Sequence, residues 1–271
     1  MKIHFVRNAT LVVETGDNRI LVDPCLAKKG TLPPFTLFRR PPRRNPLVEV
    51  PETVLPLLRT VTGGLVTHCR FGHWDHLDSK GARLLAELKV PVYCGSGDVR
   101  YLEKKGIRAV GMVPEKARPF LNGRITPVAA EHGKGIIRRF MGPGLGFFLD
   151  LPGEPSLYIA GDTVLTARVR EVLQNLRPQV AIVNAGSAVL DIGKPILMPL
   201  DEIIEFVQTA PGVVVAVHMN AVNHCMTDRK TLKAKLLEMN LSEKVWIPEE
   251  GETLSLQADG SCSIPLDRGA L

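Results

Sequence analysis

Cysteine is scarce here: Cys25, Cys69, Cys94, Cys225 and Cys262 are five in number, widely spaced and without a CxxC pair. An odd, unpatterned set argues against a disulfide framework and for a reducing compartment. Aromatic residues make up only 5% of the chain, too few for the stacking platforms of a nucleic-acid surface, so nucleic acid is not an expected partner. No apolar run approaches the roughly 20 residues that cross a bilayer. The opening MKIHFVRNATLVVETG begins like a strand and lacks the apolar core and small-residue cleavage site of a signal peptide. A GxSxG elbow is missing, which speaks against a serine hydrolase. The glycines of GPGLG, 142–146, fall between strands rather than opening a helix as a dinucleotide fingerprint does. A soluble, cytoplasmic protein is the expectation.

What is present is ample apolar material. With 271 residues, 45% of them hydrophobic and 23% charged, the chain has enough to bury one large core without staples. A single domain over 1–271 is expected. The net charge of +6 is unevenly placed. Arg39, Arg40, Arg43 and Arg44 crowd into FRRPPRRNP, inside a Pro-rich stretch, about 26–51, that has no period and reads as a long loop. Such a cluster attracts phosphate or carboxylate, and a solvated loop with no partner is the competing reading.

Alternating and continuous apolar runs place the strands. IHFV, TLVVET and RILV form a meander, followed by GGLVTH, VPVYC, and strands near 125–130, 145–151, 156–160, 180–184 and 212–218. Helices are expected at about 77–88, at VRYLEKKG closed by Gly106, and at 163–176, 200–208 and 227–239, with Asp98 as an N-cap. Meanders alternate with single helices in both halves, and the strand ends RILVDP and LYIAGD look alike.

The densest chemistry lies in THCRFGHWDHLD, residues 67–78, where His68, His73, Asp75 and His76 follow a buried strand directly. Imidazole and carboxylate suit zinc, manganese or iron, and a strand end leading into a loop lets several side chains converge. Read as surface polars and helix caps, so many ligand types in one short stretch would be a rare coincidence.

This segment resembles the HxHxDH signature of the metallo-β-lactamase superfamily, in particular the branch of the L-ascorbate phosphate lactonases. His73-Trp74-Asp75-His76 matches its second half. Strict spacing puts the first histidine at Phe71; His68, at the strand end and three residues earlier, fills the role if the loop is lengthened. A second register, with Arg70 and Gly72 standing for a ligand histidine and aspartate, would discard Asp75 and His76, so the first is preferred. The resemblance implies an α/β (α+β) fold, the αββα sandwich of two mixed β-sheets flanked by helices. It also implies that His132 in AAEHGKG, Asp162 in YIAGDT and His218 in VVAVHMN complete the ligand set in order, with Asp23 beside the site as a hydrogen-bond partner of a ligand. For Asp23, a turn aspartate before Pro24 is the equal alternative.

The expected cofactor is a pair of divalent ions, zinc first, manganese or iron as alternatives. His68, His73 and His132 would surround one ion, Asp75, His76 and His218 the other, and Asp162 would bridge. Asp75 would relay a proton and His224 would assist the leaving group. The expected activity is hydrolysis of a small anionic lactone or ester, with Arg39, Arg40, Arg43 and Arg44 near the mouth. A phosphodiesterase or nuclease of the same superfamily and a non-catalytic metal-binding protein are the alternatives. A homo-oligomer is compatible with the pattern.

Overall fold

The computed structural model describes residues 1–70 and 72–262. Phe71, the strict-register position of the first motif histidine, lies outside the described residues.

The chain opens with the antiparallel strands β1 (Lys2–Arg7), β2 (Thr10–Thr15) and β3 (Asn18–Val22). Three strands then join in parallel: β4 (Gly63–Val66), β5 (Pro91–Gly95) and β6 (Arg108–Met112). A second sheet repeats this plan. Its meander is β7 (Arg118–Phe120), β8 (Gly123–Ala130), β9 (Gly144–Asp150) and β10 (Leu157–Ile159), and β11 (Val180–Asn184), β12 (Val213–Val217) and β13 (Val245–Trp246) continue in parallel. A last strand, β14 (Thr253–Ser255), returns to pair with β1, so each sheet has seven strands.

Period-two alternation sends neighbouring side chains to opposite faces and builds the layers. Leu11 and Val13 of β2, Val180 and Ile182 of β11, and Val215 and Val217 of β12 meet between the sheets with Phe5, Phe147 and Trp246. The intervening Val12, Ala181, Val183 and Val214 face outwards under helices. On the first sheet these are α1 (Leu55–Leu58), α2 (Ser79–Leu88) and α3 (Val99–Glu103), which contribute Leu58, Leu85 and Leu102. After α4 (Ile137–Met141) come α5 (Ala167–Glu171), α6 (Leu200–Thr209) and α7 (Arg229–Glu238), which cover the second sheet through Val169, Phe206 and Leu232. The result is the αββα sandwich of two mixed sheets.

Two local expectations are corrected. The helix expected from 163 starts at Ala167, capped by Thr166, because Thr163 and Val164 are bonded to Glu131 across the sheet end. Asp98 caps nothing with its side chain; its carboxylate takes the Arg70 guanidinium at 2.6 Å instead. The stretch 26–51 carries no strand or helix, only an isolated bridge between Leu32 and Asn45.

Candidate metal centre

Both sheets deliver polar side chains at one edge, where parallel strands end. Asp23 follows β3, His68 follows β4 at two residues' distance, and Asp162 and His218 come just after β10 and β12. His132 follows β8, and His73, Asp75 and His76 come from the loop before α2. Ligands gather at the carboxyl ends of such strands because the loops there are free to converge. Asp23 and His218 adopt positive φ, 43° and 62°, a costly conformation for non-glycine residues that concentrates at functional sites.

The outer ring nitrogens of the histidines are held from behind. His73 Nδ1 bonds the carbonyl of Arg70, and His132 Nδ1 that of Ile196 at 2.8 Å. A carbonyl only accepts, so both rings donate there and turn a bare Nε2 inwards. His76 Nδ1 donates to Asp23 Oδ2 at 2.8 Å. The same Asp23 oxygen accepts the Thr67 hydroxyl at 2.7 Å, and Asp23 Oδ1 accepts the Thr67 amide at 2.8 Å. With its one proton committed, the Thr67 oxygen can only accept from His68 Nδ1, 3.0 Å away. Asp23 therefore orients His76 directly and His68 through Thr67.

Three groups of facing ligand atoms result, each within 4.8 Å of one another: His68, His73 and His132; Asp75, His76 and His218; and His68, His76 and Asp162. Asp162 Oδ2 lies 3.2 Å from both His76 Nε2 and His132 Nε2, while its Oδ1 lies 3.8 Å from His218 Nε2. It sits between the first two groups. His218 Nε2 is 3.3 Å from Asp75 Oδ2. Every member is buried. His68 Nε2, His73 Nε2 and Asp75 Oδ1 are buried without any hydrogen-bond partner, a costly state for polar atoms that cations would relieve. The donor set, imidazole with carboxylate, fits zinc, manganese or iron.

Electrostatics shows the same need for positive charge. Burial opposes protonation of His76, but the carboxylates of Asp162, Asp75 and Asp23 outweigh it and lift its pKa to about 10. His218 is raised in the same way against burial, by Asp162 and Asp75. Asp75 and Asp162 stay well below the carboxylate range, since His76 and His218 overcome their burial. Burial pushes His132 down to about 4 and His224 to about 3, and lowers His68 with help from its neighbours His76 and His73.

No family model matches the chain. Over 256 residues, 93% of this chain and 99% of the relative, it is 32% identical to UPF0173 protein YddR of Bacillus subtilis (strain 168). The chain belongs to the UPF0173 family. Another relative, the UPF0173 metal-dependent hydrolase of Heliobacterium modesticaldum, is 27% identical over 96% of this chain and 99% of its own length. Among solved structures, an isothiocyanate hydrolase from Delia radicum gut bacteria superposes with a TM-score of 0.86 at 29% identity, covering 95% of this chain and 100% of that one. A possible metal-dependent hydrolase from Veillonella parvula gives 0.85 at 28%, over 94% and 99%. The metallo-β-lactamase fold protein YhfI from Bacillus subtilis, 13% identical with a TM-score of 0.64 over 94% of this chain and 100% of that one, shares the fold.

In the UPF0173 protein a cavity of about 290 Å³ opens onto the centre, with His73, Asp75, His132, Asp162 and His224 in its lining. Phe35, Trp74, Met141, Leu190 and Ile196 supply the walls, and Phe35 stacks on Trp74 with ring centroids 4.0 Å apart. No Lys or Arg is among the described lining residues. None of the four loop arginines is in this lining. Arg44 bonds the carbonyls of Gly30 and Thr31, Arg39 that of Gly193, and Arg40 that of Cys225; Arg40 and Arg43 line a separate cavity of about 270 Å³. Arg70, engaged with Asp98, does not take a ligand's place, so the second motif register is not the one the fold assembles.

Sequence reasoning missed Thr67, Asn184, Phe35 and Trp74. Asn184 donates to Asp162 Oδ1 at 2.5 Å. As a polar residue closing the buried run VAIVN it carried the same signal as Asp162, a polar group where a strand stops.

Proposed function

We propose that this protein is a metal-dependent hydrolase that holds two divalent ions and cleaves a small, uncharged, largely apolar substrate at an electrophilic carbon. The observation that carries this reading is the cavity of about 290 Å³, with ligand residues in its lining, aromatic and aliphatic walls and no cation among its described residues. His68, His73 and His132 would hold one ion and Asp75, His76 and His218 the other, with Asp162 between them. Bound there, such ions make water acidic enough to yield hydroxide near neutral pH and draw charge from a carbonyl-type group.

The protein's own side chains do the remaining work. Phe35 and Trp74 receive the substrate's organic group. Asp75, whose Oδ1 has no protein partner, accepts a proton from the attacking water. His224 is buried and lines the same cavity, and its Nδ1 also lacks a protein partner. Its low pKa of about 3, caused by burial, keeps it neutral, so it hydrogen-bonds the substrate's heteroatom, while the proton that Asp75 takes from water passes on to the leaving group.

An isothiocyanate, R–N=C=S, meets these demands: it is neutral, and its central carbon is electrophilic. Addition of water there yields R–NH2 and carbonyl sulfide. A structural neighbour at TM-score 0.86 is an isothiocyanate hydrolase, which supports this choice. An uncharged lactone or ester, whose carbonyl carbon is likewise electrophilic, is the second reading. A phosphorylated lactone or a phosphodiester calls for a cation beside the centre, which the described lining lacks.

The test measures metal content in protein purified without chelator, then hydrolysis of an isothiocyanate, a lactone and a phosphodiester panel, each with metal restored. About two ions per chain and metal-dependent loss of the N=C=S absorbance, both reduced in His68→Ala and Asp162→Asn, are expected. Lactone opening alone would select the second reading. At most one ion and no turnover would make this a non-catalytic metal-binding protein.

A further inference from the structure

The three most exposed large apolar side chains among the described residues are Phe38 (88% exposed), Ile192 (86%) and Ile136 (75%). Phe140, at 69%, and Leu37, at 51%, belong with them. Each lies within three residues along the chain of a side chain that walls the cavity or packs with its walls, which puts it near the rim above the metal centre. Leu37 and Phe38 follow the wall residue Phe35, Ile192 follows Leu190, and Phe140 precedes Met141. The Asp191 carboxylate clamps one side of the rim by accepting the Leu37, Phe38 and Arg39 amides at 2.8–2.9 Å. On the other side α4 has two apolar faces: Ile137 and Met141, four apart, pack inwards, while Ile136 and Phe140, four apart, point to solvent. Exposed apolar side chains gathered around one opening mark a contact surface.

The charge around them is predominantly positive. Segments 36–44, 131–141 and 189–194 contain eight Lys and Arg residues against Glu131 and Asp191 alone, an excess that matches the whole chain's net charge of +6. Glu131 is paired with Arg138 at 2.7 Å and Lys134 with Glu202 of α6 at 2.5 Å, while Asp191 is spent on the loop amides, so the arginines and Lys194 carry the excess.

We propose that this rim docks peripherally on an anionic lipid bilayer, its apolar tips entering the headgroup region and its Arg and Lys side chains meeting lipid phosphates. Apolar tips ringed by basic residues are the chemistry of such interfaces. A second copy across a two-fold axis would bring two surfaces of the same positive sign together. Nucleic acid would want a run of stacking rings, whereas three of the five exposed side chains, Ile136, Ile192 and Leu37, are aliphatic. No described helix is long and apolar enough to cross a membrane, and lying on one makes no such demand. The docking is independent of which electrophile is cleaved, and it lets apolar substrate pass from lipid into the cavity.

The test is co-sedimentation of the metal-loaded protein with vesicles of phosphatidylglycerol and phosphatidylcholine, against phosphatidylcholine alone. Preferential binding to the anionic vesicles is expected, weakened by salt. Arg138→Gln with Arg139→Gln, and separately Phe38→Ser with Phe140→Ser, should each lower the partition coefficient at least about tenfold. Leu237→Ser, an equally exposed change on α7, should leave it unaltered, and metal content should not change in any variant. Equal binding to both vesicle types, or rim variants that bind like the parent, overturns the proposal. So does light scattering that shows a dimer dispersed by Phe38→Ser and Phe140→Ser without an effect on vesicles.

Discussion

Thr67 controls His68 without touching the centre, because its proton goes to Asp23 and its oxygen takes the His68 Nδ1 proton. Thr67→Val removes both links and leaves the ring free to change tautomer. Partners behind metal ligands are worth about 10–100-fold in metal affinity. Thr67→Val is expected to weaken metal binding by that amount, read by competition with a chromophoric chelator, with Thr67→Ser restoring it. The histidines also predict a pH profile for the metal-free protein. For His76, raised from 6.5 to about 10, the folded state binds the extra proton, so its stabilisation is complete below 6.5 and lost as pH rises towards 10. For His132 and His224, lowered to about 4 and about 3, the unfolded state binds the extra proton, so stability rises with pH up to 6.5. Thermal melts in chelator should therefore peak near pH 6.5. A melting temperature that climbs steadily from pH 6 to 9 would show that the cluster is not charged in this way.

At the scale of elements, the motif loop is held by the fit of α2 under the end of β3. Gly81 in the first turn of α2 lies so close that an added Cβ would stand 1.9 Å from the Pro24 carbonyl oxygen. Asp78 caps that helix through the Gly81 amide at 2.7 Å and bonds the Ala27 amide at 2.5 Å, tying the loop of His73, Asp75 and His76 to the strand end of Asp23. Gly81→Ala should therefore destabilise by about 2–3 kcal/mol, although alanine favours helix by about 1 kcal/mol. Urea unfolding measures it, and a neutral or stabilising result would mean that α2 slides at no cost. These elements were largely readable beforehand, since the alternation in TLVVET and the apolar spacing behind the helix expected at 77–88 are local signals. The late start of α5 was not, because Thr163 and Val164 bond to Glu131, 32 residues away in the first case.

Across the whole molecule, each sheet supplies part of the centre: Asp23 and His68 from the first, His132, Asp162 and His218 from the second. Ions bound between them would hold the two halves together, and binding only to the folded state stabilises by about 2.7 kcal/mol at a hundredfold excess over Kd. For a chain of this size that corresponds to roughly 5–10 °C in Tm. Chelator should lower Tm by that much and zinc restore it, whereas His132→Ala should blunt the response; a chelator-insensitive Tm would argue that the clusters hold no structural ion. Apolar periodicity in the sequence placed most of the strands, and the resemblance to the metallo-β-lactamase superfamily implied how they layer into two sheets. The sequence also determined which residue types stop those strands. Tertiary structure decided what those residues touch: that Asp23 reaches His68 through Thr67, that Asn184 braces Asp162, that Phe35 from a distant loop stacks on Trp74, and that none of the loop arginines lines the cavity. Those contacts join positions far apart in the chain, where no local period or propensity records a partner.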